Sequence, residues 1–181
     1  MDEDSNKVFF AADNAATPHC FSLAKRSLLA AEIQIARIWE NPVSGDDNPS
    51  LPYEVKLVDI HFYFVALRNL FRHLNKVVSD PIYTHLKPEL EDLNQKWFKH
   101  YAQGREAFEH IDQRFPGEKH EGKIVEIEEK GARRKIHYGL SMKKGLFTHS
   151  DKSWDISAAS FEEIKASVRH LIGQIVDSSI L

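Results

Sequence analysis

The amino-acid sequence predicts a mainly α-helical protein of α+β class: an up-down bundle of about four helices with a small antiparallel β-meander before the C-terminal helix. Apolar residues recur at three- and four-residue steps in long stretches, which is the spacing of amphipathic helices. Short β-branched and aromatic segments lie before the last of these stretches. The 181 residues are enough for one hydrophobic core. We expect a single domain with a helical core over 18–117, a β-meander flap over 118–157 and a C-terminal helix over 158–181.

The first predicted helix begins near Pro18 and ends before Asn41. Its apolar stripe consists of Phe21, Ala24, Leu28, Ala31, Ile35, Ile38 and Trp39. The residues that precede it are mostly polar and small, and we expect them to form a loose arm. The segment 41–54 that follows carries three prolines and a Gly-Asp-Asp turn, which indicates a loop.

The second predicted helix begins between Glu54 and Leu57 and ends at Val78. Its continuous apolar face consists of Ile60, Phe64, Leu67, Phe71, Leu74 and Val78. A polar stripe along the edge of that face consists of His61, Arg68 and Arg72. Phe62 and Val65 lie off the main face, so a second surface is expected to cover them, either another helix or another subunit.

The third helical stretch follows a compact break at Ser79-Asp80-Pro81, where proline in the first turn favours a new helix. Because Pro88 interrupts this stretch, we expect a short first helix and a main helix that begins at Lys87 or Pro88. Gly104 lies in the middle of the main helix and indicates a slight kink or a close contact between helices.

The segments KIVEIEE, RKIHYGLSM and GLFTH, separated by Lys-Gly turns, predict a three-stranded antiparallel meander. A meander of this size cannot hold a core alone, and we expect it to pack on the helices as a flap. Ser160 and Glu163 have the spacing of a capping box, which predicts the start of the last helix.

Composition disfavours several classes of function. Cys20 is the only cysteine, which excludes an internal disulfide and a cysteine-based zinc site. No two of the ten histidines are three or four residues apart, so one helix does not supply two imidazoles at the usual metal-binding spacing. A Gly-rich phosphate loop and a Gly-x-Ser-x-Gly elbow are absent from the sequence. We therefore expect no metal and no cofactor; the alternative is a metal site assembled from separate helices, for example with His61 and His100 facing each other across the hairpin.

Charge and hydropathy bear on location and partners. No run approaches the roughly 20 apolar residues that span a bilayer, and the acidic start MDEDSNKVFF is unlike a secretory signal. We expect a cytoplasmic protein with no membrane partner. The formal net charge of −3 argues against a surface that is basic throughout, but it allows a local basic groove built by one face or by two subunits.

Two arginines are each followed five residues later by a histidine, in Arg68-Asn69-Leu70-Phe71-Arg72-His73 and in Arg105-Glu106-Ala107-Phe108-Glu109-His110. Both resemble the signature of HEPN domains, in which arginine, a polar residue and three further residues precede histidine. HEPN domains are helical bundles, and many are metal-independent ribonucleases that act as dimers. The pieces HFYFVALRNL and GREAFEHIDQRFPG also resemble uncharacterised bacterial helical-bundle proteins with an Arg-x-x-x-Glu-His-x-Asp segment. The resemblance spans about residues 57 to 117.

The resemblance implies an RNA-cleaving or RNA-binding homodimer. Its candidate catalytic residues are Arg68, His73, Arg105 and His110. Its candidate binding residues are His61, Arg72, Glu109 and Asp112. Histidine would take the proton of a 2′-hydroxyl or protonate the leaving oxygen, and arginine would stabilise the charge on the phosphate. Residues five apart lie about 140° apart around a helix, so each Arg-His pair would converge only at a helix end, a kink or a dimer cleft.

A structural interpretation of the same residues is the alternative. Arg105, Glu109 and Asp112 form a ladder of charges on one helix, at steps of four and seven residues. The residues expected to face this ladder from the other arm are His61, Arg68 and Arg72. Such a network fixes the register of two helices without catalysis. The protein would then be a non-enzymatic bundle that binds a partner protein or a small ligand through the charged edge and the β flap.

Overall fold

The computed structural model describes the backbone of residues 3–40, 51–109, 125–129, 132–136, 138–141, 145–149 and 152–178. The helices are α1 (Glu3–Glu40), α2 (Leu51–Val78), a 3-10 segment (Pro81–Leu86), α3 (Lys87–Leu93), a π segment (Asn94–Phe98), α4 (Lys99–Glu109) and α5 (Ala158–Ser178). The strands are β1 (Val125–Glu129), β2 (Ala132–Ile136), β3 (Tyr138–Ser141), β4 (Leu146–His149) and β5 (Lys152–Asp155). The predicted class, a mainly helical bundle with small antiparallel β-structure before the last helix, is confirmed, but the strands form two sheets and not the single three-stranded meander that was predicted.

Helices α1 and α2 form an antiparallel hairpin. At one end the Thr17 hydroxyl donates to the Asp80 carboxylate over 2.8 Å, and at the other the Lys56 ammonium donates to the Ile38 carbonyl over 2.5 Å. The predicted start of the first helix near Pro18 is wrong, because α1 already begins at Glu3 and Pro18 lies inside it. Alanine is frequent between residues 11 and 16, and its high helix propensity favours a helix that continues through the proline.

The chain after α2 follows the predicted breaks. The Asp80 carboxylate accepts a hydrogen bond from the Ile82 amide over 3.1 Å and caps the 3-10 segment. Helix α3 begins at Lys87 with Pro88 in its first turn, as expected. In α4, Gly104 lies directly against the ring of Phe64 in α2, so the close helix contact expected at this glycine is present.

The five strands form a two-stranded sheet, β1-β2, and a three-stranded sheet, β3-β4-β5, both antiparallel. The segment predicted as one strand, RKIHYGLSM, is divided because β2 pairs back with β1 while β3 pairs forward with β4. Phe147 and Trp154 face each other across β4 and β5 and pack on Phe64 of α2. The Trp154 indole also donates to the carbonyl of His100 over 2.9 Å, which ties this sheet to α4.

Helix α5 completes the bundle through its buried residues Phe161, Ile164, Val168, Leu171 and Ile175. The Ser157 hydroxyl accepts from the Ser160 amide over 3.1 Å, so Ser157 is the N-cap of the helix, and the predicted capping box that starts at Ser160 is wrong. An ion pair between Lys165 and Glu32 joins α5 to α1. None of the helices in the described part of the chain combines the length and the apolar character needed to cross a bilayer.

Candidate functional site

A groove of about 360 Å³ lies on the outer side of the α1–α2 hairpin. Its polar lining residues are Arg26, Ser27 and Gln34 of α1 and Asn69 and His73 of α2. Its apolar lining residues are Leu23, Ala30, Phe62, Val65 and Ala66. These residues recur at three- and four-residue steps along both helices, so each helix presents one continuous stripe to the groove. Ala66 is also a buried core residue, so the floor of the groove adjoins the core of the bundle.

His73 is the titratable group best placed for chemistry in this groove. Its ring is half-buried, and its Nδ1 atom lies 3.4 Å from the hydroxyl oxygen of Ser27 across the hairpin. Burial lowers the pKa of His73, and the positive charges of Arg72 and His19 lower it further. The neutral imidazole therefore predominates at neutral pH, which is the form that can accept a proton.

The hairpin carries its charges unevenly. Residues 17–31 and 60–79, which we call the basic half, contain no aspartate or glutamate. Their lysines and arginines are Lys25, Arg26, Arg68, Arg72 and Lys76, and all of them are exposed. The next carboxylate along the chain, Asp80, accepts hydrogen bonds from Thr17 and from the Ile82 amide. In a chain of net charge −3, this half forms a local basic surface, and most of the groove lies within it.

The outer side of the hairpin also carries exposed apolar side chains. Leu29 and Ile33 of α1 are 56% and 49% exposed, and Val58 and Phe62 of α2 are 52% and 53% exposed. We call these four residues the apolar patch. The prediction that Phe62 lies off the main face of its helix is confirmed. In the described part of the chain, no second surface covers it.

The first Arg-His spacing contributes to the groove. Asn69 and His73 line it, whereas Arg68 and Arg72 are exposed on α2 and are not among its lining residues. Arg68 and His73 therefore diverge around the helix, as their five-residue separation requires. Within one subunit, His73 and Arg26 of α1 line the same groove, and Arg68 does not line it.

The second spacing lies on α4. Arg105 is half-buried there, and Glu109 is the last residue of that helix. The side chain of Glu109, and all of His110 and Asp112, lie outside the described residues, so the expected charge ladder stays a prediction. His61 packs its ring against Phe108 of α4, with 5.5 Å between centroids, and is not among the residues that line the groove.

Sequence reasoning missed the contribution of α1 to the groove. Arg26, Ser27 and Gln34 are polar residues beside the core stripe of that helix, and taken alone they indicate only a solvated face. The absence of acidic residues from 17 to 31, matched by the same absence from 60 to 79, is the signal that could have drawn attention to them.

A second polar cluster fixes the register of the hairpin. The Asp59 carboxylate is buried and pairs with the Arg37 guanidinium over 3.1 Å. Burial raises the pKa of Asp59, while Arg37 and Lys56 oppose that rise. Burial also lowers the pKa of Lys56, against the attraction of Asp59. The cluster lies at the far end of the hairpin from His73, and its contacts are those of a structural interaction.

Comparisons with known proteins give no relative from which a role could be transferred: no protein-family model, no curated protein and no solved structure matches this chain. Within the described residues, no group of three or more histidine, cysteine, aspartate or glutamate side chains is arranged to hold a metal ion.

Proposed function

We propose that this chain is a HEPN-like, metal-independent endoribonuclease that binds single-stranded RNA in the groove between α1 and α2. One observation carries the proposal: Asn69 and His73, from the Arg68–His73 spacing, line a groove together with Arg26, in a half of the hairpin that has no acidic residue. A basic groove attracts phosphates, and a neutral histidine in it can act as a general base.

The chemistry follows from these side chains. His73 accepts the proton of a 2′-hydroxyl, and the 2′-oxygen forms a bond to the adjacent phosphorus. The bond from phosphorus to the 5′-oxygen breaks, and the imidazolium formed on His73 can return its proton to that leaving oxygen. The products are a 2′,3′-cyclic phosphate and a 5′-hydroxyl. Arg26 on one wall and Arg72 at the edge stabilise the charge that builds up on the phosphate oxygens.

A homodimer is part of the proposal and is supported by the apolar patch. Leu29, Ile33, Val58 and Phe62 are each about half exposed, and Phe62 also lines the groove. A second copy of the chain that packs on this patch would remove apolar surface from water. Each groove would then lie beside the subunit interface, where Arg68 of α2 is also exposed. That arrangement would let one subunit supply an arginine to the groove of the other.

The test is cleavage of a single-stranded RNA of mixed sequence in excess EDTA, followed by identification of the product ends. The His73→Ala variant is expected to cleave at least about 100-fold more slowly, since general-base catalysis contributes about 10² to 10⁴ in rate. His170→Ala is the matched control, because His170 is an exposed histidine on α5. His110→Ala measures whether the second spacing contributes. Wild-type protein that neither binds nor cleaves RNA, or a His73→Ala variant that cleaves normally, would overturn the proposal.

The second candidate function is a non-enzymatic bundle that binds a partner protein, and the apolar patch favours it. The two functions respond differently to charge reversal. Arg26→Glu would weaken RNA binding under the first function, because the substitution places a carboxylate in the groove. It would leave binding through the apolar patch largely intact under the second.

A further inference from the structure

The hydroxyl of Ser27 has a fixed hydrogen-bond role. Its oxygen lies 2.9 Å from the carbonyl oxygen of Leu23, one turn earlier in α1, and a carbonyl oxygen can only accept. The single hydroxyl proton of Ser27 is therefore used within α1. What the hydroxyl oxygen still offers to other groups is its lone pairs.

The imidazole ring of His73 lies against the hydroxyl oxygen of Ser27. The Nδ1 atom of His73 lies 3.4 Å from the Ser27 oxygen, and the two residues belong to different helices. An unprotonated Nδ1 would place a lone pair against a lone pair at this contact. A protonated Nδ1 donates to Ser27 instead, and the neutral ring then keeps its lone pair on Nε2.

We propose that Ser27 is a positioning residue that holds neutral His73 in the tautomer with the proton on Nδ1 and the basic lone pair on Nε2. The contact also limits rotation of the ring, because turning the ring over would remove Nδ1 from Ser27. This tautomer depends only on the contact between Ser27 and His73, so it is expected with and without bound RNA.

The positive groups around His73 favour its neutral ring, and the partner of that ring, the Ser27 hydroxyl, is also neutral. The charged groups that act on the ring are Arg72 on its own helix and His19 on α1, and both lower the pKa of His73. The basic half of the hairpin holds no carboxylate that could accept the Nδ1 proton. Ser27 is the acceptor that the structure gives to this nitrogen.

The catalytic meaning of this tautomer rests on the proposed function. A general base must present an unprotonated nitrogen to the 2′-hydroxyl, and Nε2 is the nitrogen that the Ser27 contact leaves free for substrate. Loss of the contact would let the proton exchange between the two nitrogens and would let the ring rotate. A fraction of the molecules would then hold the base in an unproductive form.

The experiment is long-range ¹H–¹⁵N correlation NMR on the histidine rings of the full chain, at a pH above the titration of His73. Wild-type protein is expected to show a protonated-type signal for Nδ1 of His73 and an unprotonated-type signal for Nε2. Ser27→Ala is expected to give averaged signals, and Ser27→Thr, which keeps the hydroxyl, is expected to restore the wild-type pattern. Ser22→Ala is the control on the same helix, because Ser22 does not line the groove.

RNA cleavage by the same variants separates this inference from the function. Ser27→Ala is expected to lower the rate roughly 10-fold, which is part of the about 10² to 10⁴ that general-base catalysis contributes, and Ser27→Thr is expected to recover it. A wild-type ring protonated on Nε2, or a tautomer unchanged in Ser27→Ala, overturns the positioning role. The expected tautomer in a protein that has no activity on RNA would sustain the assignment and refute only the proposed function.

Discussion

Replacement of Gly104 by alanine tests the packing on which the hairpin and the sheet depend. A Cβ atom at position 104 would lie 2.7 Å from Cε2 and 2.9 Å from Cδ2 of the Phe64 ring. Contacts this short require one of the two groups to shift. The Phe64 ring has little room to move, because other aromatic rings surround it. Those rings belong to Tyr101, Phe108, Phe147 and Trp154, with centroids 5.7 to 6.2 Å from that of Phe64.

Two opposing effects set the size of the change. Alanine is favoured over glycine inside a helix by about 1 kcal/mol. Overpacking of a well-filled core costs about 1–3 kcal/mol, and a contact against an enclosed ring belongs in the upper part of that range. We therefore expect Gly104→Ala to lower the free energy of unfolding by about 1–2 kcal/mol. In a chain of this length that corresponds to a fall in Tm of about 2–8 °C.

The assay is urea unfolding followed by circular dichroism, with Gly173→Ala as the matched control. Gly173 lies within α5, and a Cβ atom there would have no neighbour within 4 Å. The control substitution therefore gains helix propensity without overpacking, and we expect it to raise the free energy of unfolding by about 0.5–1 kcal/mol. If both variants were stabilised alike, the close contact between α4 and α2 would be refuted.

Three further predictions concern charge, pH and association. Arg26→Glu combined with Arg72→Glu should weaken RNA binding and reduce the slope of log affinity against log salt by about 1.4, because two phosphate contacts to a single strand are lost. Fluorescence anisotropy at several salt concentrations measures this slope. Burial raises the pKa of Asp59 above its ordinary 3.8, so the folded state holds this proton more tightly than the unfolded state. The free energy of unfolding should therefore fall as pH rises from 3.8 through the raised pKa, and Asp59→Asn should remove that dependence, as urea unfolding across this range would show. Phe62→Asp should convert a dimer to a monomer in sedimentation velocity, because it places a charge in the apolar patch.

Each of these has a contrary outcome. Unchanged salt dependence in the double arginine variant would move RNA binding away from the basic half. If the free energy of unfolding depended on pH in the same way in wild type and in Asp59→Asn, the pKa of Asp59 would be the same in the folded and unfolded states. A wild-type protein that is already monomeric at high concentration would remove the dimer from the proposal. Gln103→Asp, which adds one negative charge at an exposed position of α4, serves as the control for an added charge.

The sequence predicted the helical elements where local signals are strong. Asp80, Pro81 and Pro88 mark backbone positions that no continuous α-helix passes easily, and helical segments end or begin there in the structure. The same rule failed at Pro18, where an alanine-rich segment continues the helix. The division of RKIHYGLSM between two sheets was not predictable from composition, because it depends on which neighbour each half pairs with.

The sequence indicated the residues that α2 contributes to the candidate site, but not those of α1, because contacts between helices depend on how the helices pair. Asn69 and His73 stand in a spacing that one helix displays by itself, whereas Ser27 and His73 are 46 residues apart and meet only when the register of the hairpin is known. That register depends on contacts such as Arg37 with Asp59, which sequence periodicity does not specify. The exposed position of Phe62 was predictable, because it lies off the apolar stripe of its own helix.

The central claim is that RNA binds in the groove between α1 and α2. The most direct measurement is titration of ¹⁵N-labelled protein with a short single-stranded RNA that carries 2′-O-methyl groups, which block attack by the 2′-oxygen and keep the complex intact. We predict that the signals of Arg26, Asn69 and His73 shift together and saturate, while those of α5 stay in place. Shifts confined to α5 or the β-sheets, or no shifts at all, would contradict the claim.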